Sequence, residues 1–409
     1  MKDMHVSDSV AYVGVDDTTL DLFESQYKIP YGVSYNSYII FDEKIAVMDT
    51  VDPRGTDEWL ANVRAALNGR RPDYLVVQHL EPDHAGSIRR FIEEYPEVTL
   101  VGNQKTFPMI EQFFEIKLAV VSADASDSSA DASGTPEAAI QSVKTLTVAE
   151  GSTLSLGSHT LQFFMAPFVH WPEVMVTYEQ TEKLLFSADG FGTFGALSSD
   201  VDWITEARRY YINIVGKYGP QVQTLLKKAS GLSIAAILPL HGPVLKENLG
   251  YYIDKYLTWS SYTPEEEGIV IAYASLHGNT AKAVRRFEEI LRQKGVENIA
   301  VFDLNRDDMS VAIEYAYRYD RLVLASVTYD ASLFPAMEDF LYHLKIKNFQ
   351  NRKVGYIQNG SWVPASAKLM KAHIAGMKNM TEVEPVVTIR SALSAESLSQ
   401  LEALADALL

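Results

Sequence analysis

The chain has 409 residues, 47% of them hydrophobic and 22% charged, with 36 basic side chains against 53 acidic ones and a formal net charge of −17. That length is too great for one ordinary core and predicts two domains, while the acidity argues against a nucleic-acid partner, which wants clustered Lys and Arg. Cysteine is absent; this excludes disulfides, thiolate zinc sites and iron–sulfur centres held by this chain, so any metal must sit on nitrogen and oxygen.

The start, Met1-Lys2-Asp3-Met4-His5, lacks the basic-then-apolar pattern of a secretory signal, and no apolar run approaches the ~20 residues of a membrane span. The expectation is a cytoplasmic protein with no membrane partner. Residues 11–15, 38–41 and 45–50 read as short strands, with Asp42-Glu43-Lys44 as a hairpin-like connection. Residues 56–67 place Trp59, Val63, Ala66 and Leu67 on one helical face, with Gly69 just past the end. A strand at 74–77 then runs into Gln78-His79-Leu80-Glu81-Pro82-Asp83-His84-Ala85-Gly86-Ser87.

Four potential metal ligands, His79, Glu81, Asp83 and His84, fall within six positions of that stretch. Pro82 argues against a regular helix through it, since proline lacks an N–H and disfavours helical geometry before it. The ligands therefore belong to a strand-to-helix loop, and an amphipathic helix follows at 88–92. A strand at 100–102 and a helix at 107–114 come next. Residues 121–142 are low-complexity Ser, Ala and Asp, with too few apolar groups to pack, and predict a surface insertion.

Strand patterns resume at 145–148, 153–156 and 160–164, giving the first two-thirds the style of a two-sheet sandwich with helices outside. Three more ligand candidates each close an apolar strand-like run: His170 after Ala166-Pro167-Phe168-Val169, Asp189 after Leu184-Leu185-Phe186-Ser187-Ala188, and His241 after Ile237-Leu238-Pro239-Leu240. One such His is ordinarily a core residue with its nitrogens satisfied. Three such positions beside the 79–84 cluster point to a metal site.

The style changes near 259–267, where Thr263-Pro264-Glu265-Glu266-Glu267 reads as a short acidic linker. Domains are thus expected at 1–260 and 261–409. After the linker, strands at 269–273, 299–302, 321–325, 353–357 and 386–389 alternate with helices at 280–292, 311–317, 335–344, 365–377 and from Glu396 onward. This is the pattern of an open parallel sheet with helices on both faces. Ligands of such sheets bind at the carboxyl ends of strands. One end carries Ser275-Leu276-His277-Gly278-Asn279-Thr280, a hydroxyl- and glycine-containing loop opening onto a helix, which suits a phosphate dianion without a basic side chain. Thr328-Tyr329-Asp330-Ala331 offers hydrogen bonds and an aromatic face. Asn359-Gly360-Ser361-Trp362 offers a turn with a ring to stack on a flat cofactor. Read singly, each is also an ordinary strand–helix turn.

With these motifs in place, the chain from about residue 30 to its end resembles the flavodiiron proteins, which join a metallo-β-lactamase-like αβ/βα sandwich to a flavodoxin-like doubly wound sheet. Most hydrolases of the first fold carry a His-x-His-x-Asp-His zinc loop; here Glu81 replaces the second His, as in that family. The added carboxylate favours iron, which must cycle between two valences, over zinc, which cannot. The resemblance implies one iron on His79, Glu81 and His170, the other on Asp83, His84 and His241, and Asp189 bridging the two. It implies FMN held through Ser275, His277, Gly278, Asn279 and Thr280 at its phosphate, with Thr328, Tyr329, Asp330, Ala331, Asn359, Gly360, Ser361 and Trp362 flanking the ribityl chain and ring. The implied activity is reduction of dioxygen to water or nitric oxide to nitrous oxide, with electrons passed through FMN from a separate donor, rubredoxin or a reduced cofactor. A head-to-tail homodimer or a dimer of dimers is implied as well. Two departures stand out: the 121–142 insertion, and Gly-Ser-Trp-Val-Pro-Ala at 360–365, where Pro364 removes a donor. Two other readings are a zinc-dependent hydrolase with a flavodoxin-like appendage and an electron carrier or flavin sensor with a vestigial metal site.

Overall fold

Apolar residues in the first half of the chain come in runs of three to six, long enough for short strands and too short for core helices. The computed structural model describes residues 5–114, 116, 118 and 143–409; the 121–142 stretch lies outside them. Two compact units result, Met1–Ala207 with Thr224–Ile253, and Arg208–Gln223 with Asp254–Leu409.

In the first unit one sheet has six strands in the order Val10–Tyr12, Tyr38–Ile40, Ala46–Met48, Tyr74–Val76, Thr99–Gly102 and Lys144–Thr147. The first three pair antiparallel and the rest parallel. A second sheet orders Thr153–Ser155, Thr160–Met165, Met175–Glu179, Leu184–Phe186 and Ala236–Leu238, antiparallel until its last, parallel pair. Tyr38, Met48 and Val76 from one sheet share a core with Phe163, Met175 and Phe186 from the other. Each such side chain contributes about 1.5–3 kcal/mol on leaving water. The expected helix at 56–67 is Thr56–Leu67, with Trp59, Leu60, Val63 and Leu67 buried.

Two local features depart from the sequence reading. The loop after residue 80 contains a one-turn helix, Pro82–Ala85, because Pro82 occupies its first turn, where the missing N–H has no helical partner anyway. The strand Met175–Glu179 is buried on both faces, so it lacks the in–out alternation that marks a strand in sequence.

The second unit is built on a parallel sheet in the order Ile299–Asp303, Glu266–Ala274, Tyr319–Tyr329, Lys353–Asn359, then Thr381–Glu382 and Val387–Ile389. Counted by chain position this is 2-1-3-4-5, a doubly wound order whose switch point lies between the first and third strands. Helices Asn279–Gln293 and Ala395–Leu408 bury Phe287, Leu291, Leu401 and Leu404 against it. Among the described residues, no helix is long and apolar enough to cross a membrane.

The acidic run 263–267 is not a solvated connector. Glu265 is almost fully buried and accepts from Arg208 Nε at 2.6 Å and Nη2 at 3.1 Å, from Trp259 Nε1 at 3.0 Å, and from Lys255. Arg208 Nη1 also donates to buried Glu314 at 2.9 Å. Burial works against a charged Glu265, but these donors outweigh it and hold the carboxyl at about 2. At Glu314 burial outweighs the single guanidinium contact and pushes the carboxyl up to about 7.

The two carboxylates should therefore act on stability with opposite sign. Glu265 contributes above the ordinary value of 4.5, and its contribution is lost as pH falls from there towards 2. Glu314 is neutral when buried, so stability falls as pH rises from 4.5 through 7. Urea denaturation of the whole chain across pH should show Glu314→Gln removing the loss of stability between pH 4.5 and 7. Glu265→Gln should cost roughly 3–5 kcal/mol at neutral pH, as expected for an uncompensated buried charge.

Candidate metal centre and nucleotide cleft

The stretch after Tyr74–Val76 cannot continue the sheet, because buried Asp49 captures its donors. Asp49 Oδ1 accepts the Gln78 N–H at 2.7 Å and the His79 N–H at 3.3 Å, and Oδ2 accepts Gln78 Nε2–H at 2.8 Å. Asp49 has a left-handed φ of 54°, which turns its carboxylate onto the loop. At the far side Thr50 donates both its N–H, at 2.9 Å, and its hydroxyl, at 2.7 Å, to the His84 carbonyl. The 78–84 loop is thus fastened at both ends. His241 is fixed similarly. Its Nδ1–H donates to the Ser34 carbonyl at 2.8 Å, and the next residue, Gly242, has φ +80° and Thr193 so near that a Cβ would meet it at 2.2 Å.

All seven ligand candidates come together. His79, Glu81, His170 and Asp189 form one group and Asp83, His84 and His241 another, with the donor atoms of each group within 4.8 Å of one another. In the first, His170 Nε2 lies 3.0 Å from Glu81 Oε2 and 3.3 Å from His79 Nε2. In the second, Asp83 Oδ2 lies 3.2 Å from His241 Nε2 and 3.4 Å from His84 Nε2. Asp189 joins them. Its Oδ2 faces His79 and His170 at 3.1 and 3.2 Å, and its Oδ1 faces His84 and His241 at 3.2 and 3.9 Å.

The electrostatics call for cations in these positions. Both oxygens of Asp83 and of Asp189, and both ring nitrogens of His84, are buried without a hydrogen-bond partner, an arrangement that costs several kcal/mol unless something positive is bound. Burial alone would lower the three imidazoles of His79, His84 and His170. The carboxylates, Asp189 foremost at His79 and His170 and Asp83 at His84, reverse that and raise all three, His170 to about 9. Burial would likewise raise Glu81 and Asp189, yet the rings beside them hold both low. Nitrogen and carboxylate oxygen without sulfur is a donor set that fits iron or another borderline divalent ion.

Three contributors escape the sequence reading. Glu173, buried between His170 and the strand Met175–Glu179, accepts His79 Nδ1–H at 2.9 Å. Asp49 is the second. The third is Glu24, at the left-handed tip of the hairpin Leu22–Phe23/Tyr27–Lys28. It lines a vestibule of about 220 Å³ that reaches Glu81 and Asp83, where desolvation and then the Glu81 charge push its carboxyl up to about 7. Only a local signal exists for Glu173, three residues past His170; Glu24 and Asp49 offer none.

In the second unit a cleft of about 630 Å³ opens at the switch point, within the range of cofactor pockets. His277, Asn279, Thr280, Thr328, Asp330, Ala331, Asn359, Gly360, Ser361 and Trp362 line it, together with Leu276, Val327, Val363, Ala365 and Ser391. Ser275, Gly278 and Tyr329 are not on its wall. Ser275 Oγ instead accepts the Ala281 N–H at 3.2 Å, and Gly278, at φ 84°, precedes the helix Asn279–Gln293. Tyr329 packs on Phe334. Consecutive left-handed residues Asp330 and Ala331 make the tight turn between Tyr319–Tyr329 and Ser332–Leu333. Among the described residues no Lys or Arg lines the cleft, so a phosphate would rest on backbone N–H groups at the helix start, with the indole of Trp362, 84% exposed, at the rim. A flat ring on a phosphate-bearing chain fits this wall.

Comparison with known proteins agrees with this geometry. The family model described as ODP family beta lactamase matches residues 33–242. The chain is 28% identical to the rubredoxin-oxygen oxidoreductase of Megalodesulfovibrio gigas, covering 92% of this chain and 90% of that protein. It is 27% identical to the nitric oxide reductase of Moorella thermoacetica, covering 97% and 95%. The crystal structure of the flavodiiron protein from Giardia intestinalis superposes with a TM-score of 0.85 at 23% identity, over 100% of this chain and 96% of that one, and so shares the fold. The family model spans more than half of the chain, and the protein therefore belongs to the ODP family of beta lactamases.

Proposed function

We propose that the chain is a cytoplasmic oxidoreductase that reduces dioxygen to water, or nitric oxide to nitrous oxide, at a pair of irons, using electrons delivered through FMN. Residues 1–260 would hold the metals and 261–409 the flavin, with Arg208–Gln223 and the helix end after Asp254 contributing packing to the second unit rather than ligands. The observation that carries the reading is Asp189, whose two buried oxygens are divided between two ligand groups. A mononuclear site has no use for that division. His79, Glu81 and His170 would hold one iron, Asp83, His84 and His241 the other, and Asp189 would bridge them. Such a pair supplies one-electron redox steps and a place for a diatomic molecule between two Lewis acids. Glu81 and Asp83 present that place to the vestibule, whose wall also carries Phe23, packed edge-on against the His241 ring and against Phe194.

On the flavin side, the residues at 275–280 would cradle the phosphate, while Thr328, Asn359 and Trp362 would orient the ring. FMN turns two-electron or single-electron input into single-electron output. The donor is taken to be a protein of rubredoxin type, as the name of the Megalodesulfovibrio gigas relative suggests, or a reduced cofactor. Two copies are proposed to pair head-to-tail, each flavin serving its partner's irons.

Protein purified from iron-replete cells should be yellow and carry iron in place of zinc. After anaerobic reduction it should consume dioxygen, nitric oxide or both in paired electrode assays; colourless zinc protein inert to both would overturn the reading. Asp189→Asn should weaken iron binding by more than the roughly 10–100-fold typical of a supporting residue and leave the flavin spectrum intact. Gly278→Val, which imposes about 1–3 kcal/mol of strain at φ +84°, should do the reverse and shed FMN while iron stays. If the pairing is functional, turnover per chain should fall on dilution through the dimer's dissociation range, followed by light scattering.

A further inference from the structure

The two ligand groups are balanced in their own carboxylates. Glu81 belongs to one, Asp83 to the other, and Asp189 is shared. The balance breaks one layer further out. His79 Nδ1–H donates to Glu173 Oε1 at 2.9 Å, and the same oxygen accepts the Leu80 N–H at 2.9 Å. In the other group His241 Nδ1–H donates to a neutral carbonyl, that of Ser34, at 2.8 Å, and His84 Nδ1 is buried without a partner. Glu173 is itself 1% exposed, and its carbonyl is held by Asn103 Nδ2–H at the end of the strand Thr99–Gly102. Its second oxygen, Oε2, is buried without a hydrogen-bond partner. A carboxylate behind an imidazole makes the ring a stronger electron donor to its metal, and a carbonyl does so far less.

We propose that Glu173 is a positioning residue that makes the ion on His79 the more electron-rich of the two, so that the pair is oxidised and reduced in two separated one-electron steps. The inference rests on the diiron reading above. In each step one electron moves between the flavin and one ion; the ion on His79 is the last to be reduced and the first to be oxidised. The asymmetry lies in the frame of the protein and exists before any substrate enters.

The test is a redox titration of the iron- and FMN-loaded protein, followed by the EPR signal of the mixed-valence Fe(II)Fe(III) pair. Wild type should show that signal over a broad window of potential. Glu173→Gln keeps an oxygen for both N–H donors but removes the charge. It should move the lower-potential couple upward and narrow the window, with iron affinity falling roughly 10–100-fold. Each tenfold loss of preference for the ferric ion corresponds to about 59 mV. Asn103→Ala, which keeps Glu173 and every ligand candidate but frees its backbone, should move the couple the same way by less. An unchanged window in both variants, with two irons bound, overturns the inference and leaves the diiron reading standing. A wild type that binds no iron pair overturns both.

Discussion

Everything in the first unit answers to one electrostatic constraint: Glu81, Asp83 and Asp189 are gathered with four imidazoles where water barely reaches. Such a set repels itself and strands its lone pairs unless positive charge is supplied. The fold meets the cost with rigidity. Asp49 and Thr50 fasten the loop that carries four of the ligand candidates, Ser34 and Asn36 fasten the loop of His241, and Glu173 fixes the His79 ring. None of these need touch a metal. Together they decide where seven side chains point, so the two groups are formed before anything binds.

The second unit solves a different problem with less charge. Its cleft lies where neighbouring strand connections diverge, and the sheet order alone puts three loops around it. Ser391 joins them through Asn359 Oδ1, which accepts its N–H at 3.1 Å, and through a 2.8 Å contact with Ser361 Oγ. Gly360 has no alternative here, because a Cβ would meet Pro364 at 2.8 Å. The proline that takes away a donor is thus also what packs the turn beneath Trp362.

The ligand candidates stand out in the sequence because the 79–84 cluster, His170, Asp189 and His241 each come at the end of an apolar run, and the parallel sheet because its strands and helices alternate with clear periods. The seven candidates do converge, and the expected helices of the second unit lie within a few residues of their places. Other parts left no local trace. Asp49 matters through a left-handed backbone and a partner 29 positions away. Glu265 looks like part of a solvated acidic run until Arg208, 57 residues earlier, is brought against it. Pairings at that separation are written in three dimensions only. Pro82 misled for the opposite reason, since the rule against proline in helices does not reach the first turn.

That first turn constrains what substitution and insertion can do here. Glu81 precedes the helix, whereas Asp83 and His84 ride on it, so the three side chains fan out by helical geometry rather than by loop flexibility. One inserted residue between Pro82 and His84 would swing His84 by about 100° and send it away from Asp189. Residue count in this stretch therefore matters as much as side-chain identity: the segment acts as an indexed ratchet, in which a single tooth decides whether His84 meets Asp189.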